Sequence, residues 1–406
     1  MHAESNHSEF EVFPSMRIWH DFKKFLRVKG ALHLVLTLFL YGIGMGILAP
    51  MNAIYLRESL GLGKVEIASI FAISLFLNMV LTIGVGMISD SMKRKKTIPL
   101  LASIVCMIGL VIYMNADSYV QALIGMALAT APSGMIMGQL FAMARNHVTR
   151  LAPNIVEMAQ IWMRATYSVG FFTGLLVGAN LYLLATFHGV LWGNLAGYAS
   201  LFLLLLFYKE ITLDSSAASA KAGEPFSLIM LFAILLLSCA DAIRGLYLPL
   251  VVNEQFGDPR LMSFIWSIQA IFELLFMTMA GYWAAKYGSK PIIMFGGLFA
   301  LITYIAYSTS DSLTVFFLMQ PLYSFFVSVL YGVAMGYVQR MFIHKAGFGA
   351  SLYVFISQTA SLIGYFLPLF IDGVTPQIFW IPAALIVASI GLMTRALYTG
   401  RQQLSA

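Results

Sequence analysis

The sequence has little charge for its length. Charged residues make up 10% of its 406 residues, whereas apolar residues make up 60%. An average soluble protein has roughly 25% charged residues, and a soluble fold leaves too much surface in water to hide this apolar share. The composition therefore excludes a soluble enzyme, a nucleic-acid-binding protein and a disulfide-stapled secreted domain, and it favours a protein that crosses a membrane many times.

Cysteine, histidine and nucleotide motifs are also scarce. The two cysteines, Cys106 and Cys239, lie in apolar runs, so we predict buried hydrophobic side chains rather than a disulfide or a metal pair. The glycines of GIGMG, Gly42 to Gly46, lie inside an apolar run, which favours close helix packing over a dinucleotide loop. We expect no cofactor and no use of ATP by this chain.

Apolar runs of about 20 residues, the length that crosses a bilayer, recur twelve times. The fold class that we predict is an all-α membrane protein with twelve transmembrane helices. The N-terminal tail is too polar, and too long before the first apolar run, for a cleaved signal peptide; its part from Arg17 to Lys29 could form an amphipathic surface helix. The predicted spans are 31–56, 66–88, 97–115, 120–143, 157–184, 188–208, 227–252, 261–285, 291–309, 314–339, 347–371 and 377–398.

The basic residues predict the orientation of these spans. With twelve spans, both termini lie on one side of the membrane. Nineteen of the 24 Lys and Arg residues fall in the tails and loops on that side, three fall in the opposite loops, and two lie within spans. Because cytoplasmic loops carry the excess of Lys and Arg, the sequence predicts an N-in/C-in topology.

A Ser/Ala-rich polar stretch divides the chain into two six-helix halves. Residues 209–226 have no apolar periodicity, as expected of a flexible cytoplasmic linker. Two sequence features repeat across it at nearly constant offsets: a tight basic loop at Gly86 and Gly281, 195 residues apart, and a glycine pair at Gly134 and Gly332, 198 apart. The predicted units are a cytoplasmic tail, 1–30, the N-terminal half, 31–208, the linker, the C-terminal half, 227–398, and a cytoplasmic tail, 399–406.

The first of these loops resembles a motif of the major facilitator superfamily. GMISDSMKRKK is similar to the pattern Gly-x-Leu-x-Asp-Arg-x-Gly-Arg-Lys. The resemblance implies a fold of two parallel six-helix halves around a central site, with a loop that helps to hold one of two states. The matching positions are Gly86, Asp90, Arg94 and Lys95, and the second copy keeps Gly281, Lys286, Gly288 and Lys290.

A narrower resemblance is to the bacterial sugar efflux transporters of this superfamily. It is carried by stretches in the same order along nearly the whole chain: APMNAIYLRESLG, GQLFAMAR, WMRATYSVG, LYLPLVVNEQFG, FELLFMTMAGYWAAKYG and GVAMGYVQ. The resemblance implies export of a sugar across the bacterial inner membrane. Arg164, Gln139, Glu273 and Gln339 fall on matching positions, whereas Asp241, Arg244 and Arg340 depart from the expected residue types.

Four ionisable residues lie well inside predicted spans, and their formal charges sum to zero. A charge in the bilayer costs several kcal/mol unless it is paired or hydrated, so each is a candidate for function. Asp241 and Arg244 are three residues apart on one helix face, within pairing distance. They could form a fixed ion pair, or the Asp241 carboxylate could exchange a proton. Glu273 has no basic residue one turn away on its helix, which makes it the first candidate for proton coupling and Asp241 the second. Arg164 could bind substrate or neutralise either acid.

Uncharged polar residues in the spans are candidates for binding a hydroxyl-rich substrate. For each amide, a bond between helices is the alternative role. Three aromatic residues near the inferred cavity complete the set of substrate-binding candidates. The candidates are Asn52, Asn78, Gln139, Gln269, Gln339, Gln358, Tyr41, Tyr167 and Trp266, together with Arg164 and Arg244.

We therefore predict a proton-coupled secondary transporter, a monomer of the bacterial inner (plasma) membrane, that exports a sugar or similar polar small molecule. Its expected partners are the substrate, protons and membrane lipid, with no nucleic acid. A multidrug or siderophore exporter on the same fold is an alternative, and so is a membrane sensor or scaffold that transports nothing. Gly170, Gly174 and Gly178, spaced every fourth residue, predict a stripe where a neighbouring helix approaches closely. Because exporters of the superfamily that the chain resembles often have a glycine-rich fifth span, the resemblance favours efflux.

Overall fold

The computed structural model describes residues 25–89, 95–152, 156–210, 224–342 and 346–405, and this part of the chain is helical without strands. The predicted tail up to residue 24, Asp90 and Arg94 of the loop motif, and linker residues 211–223 lie outside the described residues. The helices of the N-terminal half are α1 (Ala31–Leu48), α2 (Asn52–Glu58), α3 (Lys64–Ser89), α4 (Thr97–Met114), α5 (Tyr119–Thr130), α6 (Ser133–Leu151) and α7 (Val156–Phe207).

The C-terminal half continues with helices that pass without a gap into π and 3₁₀ segments. One span here contains a π-helical segment, Val329–Ala334, and two 3₁₀ turns, Leu367–Phe370 and Pro376–Phe379, flank the last loop. The α-helices are α8 (Leu228–Phe256), α9 (Arg260–Tyr287), α10 (Ser289–Thr309), α11 (Leu313–Leu318), α12 (Gln320–Ser328), α13 (Met335–Met341), α14 (Ala346–Phe366) and α15 (Trp380–Ser405).

Within the described residues, eleven helical segments are long and apolar enough to cross a membrane. The longest, α7, runs for 52 residues but is interrupted at Ala185 and Thr186, whose backbones are not helical. The interruption falls between the predicted spans 157–184 and 188–208, and each piece is long enough to cross a bilayer alone. The other predicted spans also lie on helical segments, although α15 runs past 398 through most of the predicted tail.

Prolines lie at breaks within several of the spans. Pro50 lies between α1 and α2, Pro132 between α5 and α6, and Pro321 at the start of α12. Proline lacks a backbone N–H and clashes with the preceding turn, so carbonyls of that turn lose their helical partners. In a membrane these groups must find other partners, and such breaks are found where the backbone faces a cavity or protein.

Glycines bring α1 and α7 into direct backbone contact. A Cβ on Gly170, Gly174 or Gly178 would stand 2.3, 2.2 or 2.6 Å from a carbonyl oxygen of α1. Gly42 and Gly46 of the GIGMG run meet the α7 backbone in the same way. The predicted stripe and the predicted packing role of GIGMG are therefore confirmed. Both cysteines are buried and free, as predicted.

The two halves are joined by polar contacts at one end of the bundle, which we call the closed end. The Lys64 ammonium donates to the carbonyls of Pro368, 3.0 Å away, of Ile371, and of Gly373, 2.9 Å away. Nearby, Asn253 donates to Glu58 at 2.6 Å, and Arg57 lies 3.8 Å from Glu254. Farther along the bundle, α7 packs on α9 and α3 on α14.

Candidate functional site

A cavity of about 320 Å³ lies inside the N-terminal half and is closed on one side by Tyr365 of the other half. This volume is at the lower end of small-molecule pockets, which span about 300–1,000 Å³. Every polar side chain on its wall is uncharged. These side chains are Asn52, Ser74, Asn78, Tyr113, Thr130, Ser133, Asn194, Tyr198 and Tyr365.

The proline breaks expose the polar groups of this cavity. Pro132 ends α5, and the freed carbonyls of Thr130 and Ala131 accept hydrogen bonds from the Asn78 amide at 3.2 and 2.8 Å. Asn78 thus supports the broken helix with its nitrogen. Its oxygen meets the amide of Gln358 from the other half at 3.5 Å, so this contact crosses between the halves.

Two other polar side chains of the wall show how it could bind a ligand. Asn52 accepts a hydrogen bond of 2.7 Å from the Tyr113 hydroxyl, which fixes the amide against α4. The Ser74 hydroxyl is buried and has no hydrogen-bond partner among the described residues. A buried polar group without a partner is costly, so this hydroxyl is a natural place for a substrate to bond.

The ionisable residues of α8 lie in the C-terminal half, where a tyrosine joins them. The Tyr323 hydroxyl donates to Asp241, and the Arg244 guanidinium stacks on the same ring, 3.7 Å from its centre. Arg244 is 3% exposed and also donates to Gln320 at 2.8 Å. Gln320 in turn donates to the Tyr307 hydroxyl at 2.6 Å.

The direct ion pair between Asp241 and Arg244 is not formed. The three ion pairs within the described residues join other side chains. The i, i+3 spacing does put both residues on one helix face, but the Tyr323 ring lies between their charged groups and satisfies both. A hydrogen bond on one side and a cation–π contact on the other take the place of the fixed ion pair, one of the two alternatives that the spacing allowed.

Glu273 lies on α9, partly buried, within electrostatic range of Asp241 and Arg244. Its carboxylate belongs to none of the described ion pairs, and the side chain that interacts with it most directly is Gln269, one turn earlier. The Ser328 hydroxyl binds the Glu273 carbonyl at 3.1 Å and so ties α9 to the span that carries Tyr323. Glu273 and Asp241 therefore interact electrostatically, and we call Asp241, Arg244 and Glu273 the carboxylate cluster.

Arg164 is exposed on α7, in the N-terminal half. Its guanidinium lies 5.6 Å from the centre of the Phe141 ring, and no described acid pairs with it. The structure therefore does not bring Arg164 to the acids Glu273 and Asp241. An exposed arginine inside a span must reach water or headgroups.

The remaining sequence candidates fall in three environments. Tyr41 is 2% exposed and packs against Tyr167 and Tyr198, so both tyrosine candidates belong to the packing behind the cavity. Gln139 is buried with an unpartnered carbonyl oxygen, and Trp266 has an unpartnered indole N–H among the described residues. Gln339 lies against the backbone of Gly349, where an added Cβ would stand 2.9 Å from the Gln339 Cα.

The loop motif lies at the end opposite the closed end. The backbone N–H groups of Lys95 and Lys96 donate to the Glu210 carboxylate at 2.6 and 3.2 Å, which caps α4. Gly86 lies on α3. In the second copy, Gly281 and Gly288 line a cavity of about 510 Å³, Lys286 lies 5.1 Å from the Tyr287 ring centre, and Lys290 follows on α10.

Sequence reasoning missed several residues of the cavity wall and the partners of Arg244. Tyr113, Asn194 and Tyr198 in the cavity, and Tyr323 and Gln320 beside Arg244, were not singled out. Tyrosines are frequent in this sequence, and their types alone do not distinguish a cavity wall from an interfacial belt. A signal did exist for two of them, since Gln320 and Tyr323 lie within two positions of Pro321, where polar groups are needed to satisfy a broken helix.

The comparisons with known proteins agree with this architecture. The family model for the Major Facilitator Superfamily matches the chain twice, over residues 34–234 and 230–403. Sugar efflux transporter A of Escherichia coli strain K12 is 21% identical over 379 residues, covering 89% of this chain and 94% of that protein. Sugar efflux transporter B of Salmonella typhimurium is 22% identical over 379 residues, which again cover 89% of this chain and 94% of that protein.

Solved structures show the same fold at low identity. The nucleoside transporter NupG, in a mutant form, superposes with a TM-score of 0.77 at 14% identity, covering 90% of this chain and 98% of that one. A bacterial homologue of the iron transporter ferroportin, in an inward-facing state, superposes with a TM-score of 0.66 at 14% identity, covering 91% and 98%. Because the family model covers nearly the whole described bundle, this chain belongs to the Major Facilitator Superfamily and is a membrane transporter rather than an enzyme.

Proposed function

We propose that this transporter exports a sugar or similar polar small molecule in exchange for protons, by alternating access of one central site. The observation that carries the proposal is that the two halves contain different kinds of polar site. A cavity with an uncharged polar wall lies in one half, and a cluster with two carboxylates lies in the other. The first suits a neutral hydroxylated substrate, and the second suits a proton.

The cavity supports a substrate rich in hydroxyl groups. Its wall combines amides, which can both donate and accept hydrogen bonds, with hydroxyls and tyrosine rings. No formal charge on the wall would hold an anionic or a cationic substrate. The names of the similar transporters from Escherichia coli and Salmonella typhimurium point the same way.

The carboxylate cluster supports proton coupling. Glu273 and Asp241 both interact electrostatically with one buried cation, Arg244, so the cluster carries one formal negative charge when both acids are ionised. Taking up one proton neutralises it. A single net charge that can be removed by one proton is what a coupling site within a membrane requires.

The closed end supports a state that faces the cytoplasm. We propose twelve crossings, with the interrupted α7 crossing twice, and both termini inside; the division of the chain into halves at 209–226 is part of the same proposal. Under this topology Lys64 and its carbonyl partners close the outer face, and the site is reached from the cytoplasm, where an exporter collects its substrate.

Purified protein in proteoliposomes tests the proposal. Radiolabelled glucose, lactose, a siderophore and a lipophilic cation are offered with and without an imposed pH gradient. We expect gradient-driven flux of a sugar, and loss of that flux in Glu273→Gln with normal yield of folded protein. Asp311→Asn, an acid-to-amide change at an exposed loop, is the matched control and should transport normally.

Three results would contradict parts of the proposal. Flux of the cation or the siderophore alone would favour the drug or siderophore exporter. Sugar flux that ignores the gradient would exclude proton coupling. Normal gradient-driven flux in Glu273→Gln would remove that residue from the mechanism and leave Asp241 as the coupling acid.

A further inference from the structure

A π-helical segment lies in the middle of the span that faces the carboxylate cluster. Val329–Ala334 joins α12 to α13 without a gap, and it carries Tyr331. The Tyr331 hydroxyl donates to Asp241 Oδ2 at 2.6 Å. π-Helical turns are rare and occur mostly at functional sites, since the extra residue they contain turns the following side chains away from the α-helical register.

Asp241 is thus held by two tyrosine hydroxyls, and the two differ in how firmly they are fixed. Tyr323 is fully buried, stacks on Arg244, and its hydroxyl also lies 3.4 Å from that of Tyr304. Tyr331 is 41% exposed, and its hydrogen bond to Asp241 is the one polar contact found for its hydroxyl within the described residues. The first tyrosine is anchored by three contacts and the second by one.

The surroundings of Tyr331 leave it room to move. A Cβ added to the next residue, Gly332, would meet no atom within 4 Å, so open space adjoins the segment. The segment itself is supported from α14, where the Tyr353 hydroxyl donates to the Leu330 carbonyl at 2.6 Å. This bond satisfies a backbone group in the π turn and holds the backbone that presents Tyr331.

The groups that act on Asp241 come from every helix around it. Arg244 on the same helix is the cation, and Glu273 on α9 is the second acid. The other groups are phenols, from α10, from the span with the π segment and from α14. They are Tyr304, Tyr323, Tyr331, Tyr353 and Tyr365.

We propose that Tyr331 is a movable positioning residue, which holds Asp241 while the site is empty and yields that bond to a hydroxyl of the bound substrate. The inference rests on the proposed function. The exchange swaps one hydrogen-bond donor for another, so no covalent bond changes. Tyr323 continues to donate to Oδ1 of Asp241. Because Oδ2 keeps a donor only when either Tyr331 or the substrate supplies it, the exchange links occupancy of the site to the acid that carries the proton.

Reconstituted Tyr331→Phe tests this link with radiolabelled lactose or glucose, whichever the wild type transports faster. Two fluxes are measured in the same proteoliposomes: equilibrium counterflow, which needs binding and alternation only, and uphill export driven by a pH gradient. We expect uphill export to fall at least tenfold while counterflow stays within threefold. Tyr282→Phe removes a hydroxyl from a tyrosine that is 66% exposed on α9, and this control should change neither flux.

A second variant covers the case in which Tyr331→Phe yields little folded protein. Tyr353→Phe removes the hydrogen bond that supports the π segment and none of the hydrogen bonds to Asp241, and we expect the same split between the two fluxes. An equal fall in both fluxes would mean that the tyrosine serves binding or folding, and no fall in either would mean that it serves neither. Either result overturns this inference alone, whereas absence of gradient-driven export in the wild type overturns the proposed function.

Discussion

At position 323, a tyrosine stands between an acid and a base that share one helix face. Helical spacing brings Asp241 and Arg244 to the same side of α8, but side chains of other helices decide what each charge contacts. Burying an ion pair costs desolvation that the attraction does not always repay. A phenol that donates to the acid and stacks under the base satisfies both charges without bringing them together.

Sequence reasoning found the charged residues of the site but not their partners. An ionisable residue inside an apolar run is conspicuous, so Asp241, Arg244 and Glu273 could be chosen from one sequence. Their partners Tyr323 and Gln320 come from another span, and no local pattern relates spans that lie far apart in the chain. For Arg164, residue type alone allowed either a substrate contact or a partner acid, and no described acid pairs with it.

Ser74 gives a test of the cavity at the scale of one hydroxyl. Its side chain is buried in the cavity wall without a partner, so we expect it to bond the substrate. Ser74→Ala removes that bond, which is worth about 0.5–1.5 kcal/mol, and should raise the KM for sugar transport by about 2- to 12-fold. Counterflow at increasing sugar concentration measures the change.

Ser238→Ala is the matched control for this prediction. Ser238 also has a buried hydroxyl without a described partner, but it lies on α8 and outside the cavity wall. Its KM should stay at the wild-type value. Equal changes in the two variants would show that the loss of a buried hydroxyl, rather than of a substrate contact, causes the effect.

Among the elements, the broken helices matter more for the site than the continuous ones. Apolar length predicted where the spans lie to within a few residues, because the bilayer sets that length. It could not predict that Pro132 would open the wall of a cavity, since the outcome depends on whether a residue such as Asn78 is near enough to satisfy the freed carbonyls. No pattern that we recognised in the sequence predicted the π segment.

The glycine stripe on α7 is an element whose role can be measured. A Cβ on Gly174 would stand 2.2 Å from the carbonyl oxygen of Ile43, and both atoms belong to helix backbones that cannot yield locally. Gly174→Ala should therefore force α1 and α7 apart and cost about 1–3 kcal/mol or more. The thermal midpoint of the purified protein in detergent should fall.

Gly391→Ala separates this packing effect from the intrinsic preference of helices for alanine. A Cβ at Gly391, on α15, would meet nothing within 4 Å. Alanine in a helix interior is favoured over glycine by about 0.5–1 kcal/mol, so this variant should be as stable as the wild type or slightly more so. If Gly174→Ala behaves like Gly391→Ala, the contact between α1 and α7 is looser than the structure indicates.

For the whole molecule, the orientation in the membrane is predicted from charge alone and can be tested without a transport assay. The distribution of Lys and Arg predicts that Asp311 lies outside and Ser219 inside. The native cysteines are buried and should react little, so single cysteines at these positions can be labelled specifically with a membrane-impermeant maleimide. Residue 311 should react in intact cells, and residue 219 only after permeabilisation. The reverse pattern would invert the topology and, with it, the face that is closed.

The closed end holds the halves together through contacts of very different strength. The Arg57–Glu254 pair is long, at 3.8 Å, and about a third to a half of each side chain is exposed, so it contributes about 0–1 kcal/mol. Lys64 instead places its ammonium among three carbonyls at the end of α14 and the loop that follows, where helix dipoles favour a cation. Hydrogen bonds to a charged group contribute about 1.5–3 kcal/mol.

Lys64 should therefore set the balance between the two states that the proposed alternating access requires. Lys64→Met keeps the length of the side chain and removes the charge, so the closed end should open more often, by roughly tenfold or more for a change of 1.4 kcal/mol or above. A single cysteine at Ala49, on the cavity wall, reports the opening through its rate of labelling from outside the cell. We expect that rate to rise at least tenfold in Lys64→Met and less than threefold in Glu254→Gln. Equal rates in both variants would mean that the ammonium contributes no more than the surface pair, and that packing of α3 on α14 and of α7 on α9 keeps this end closed.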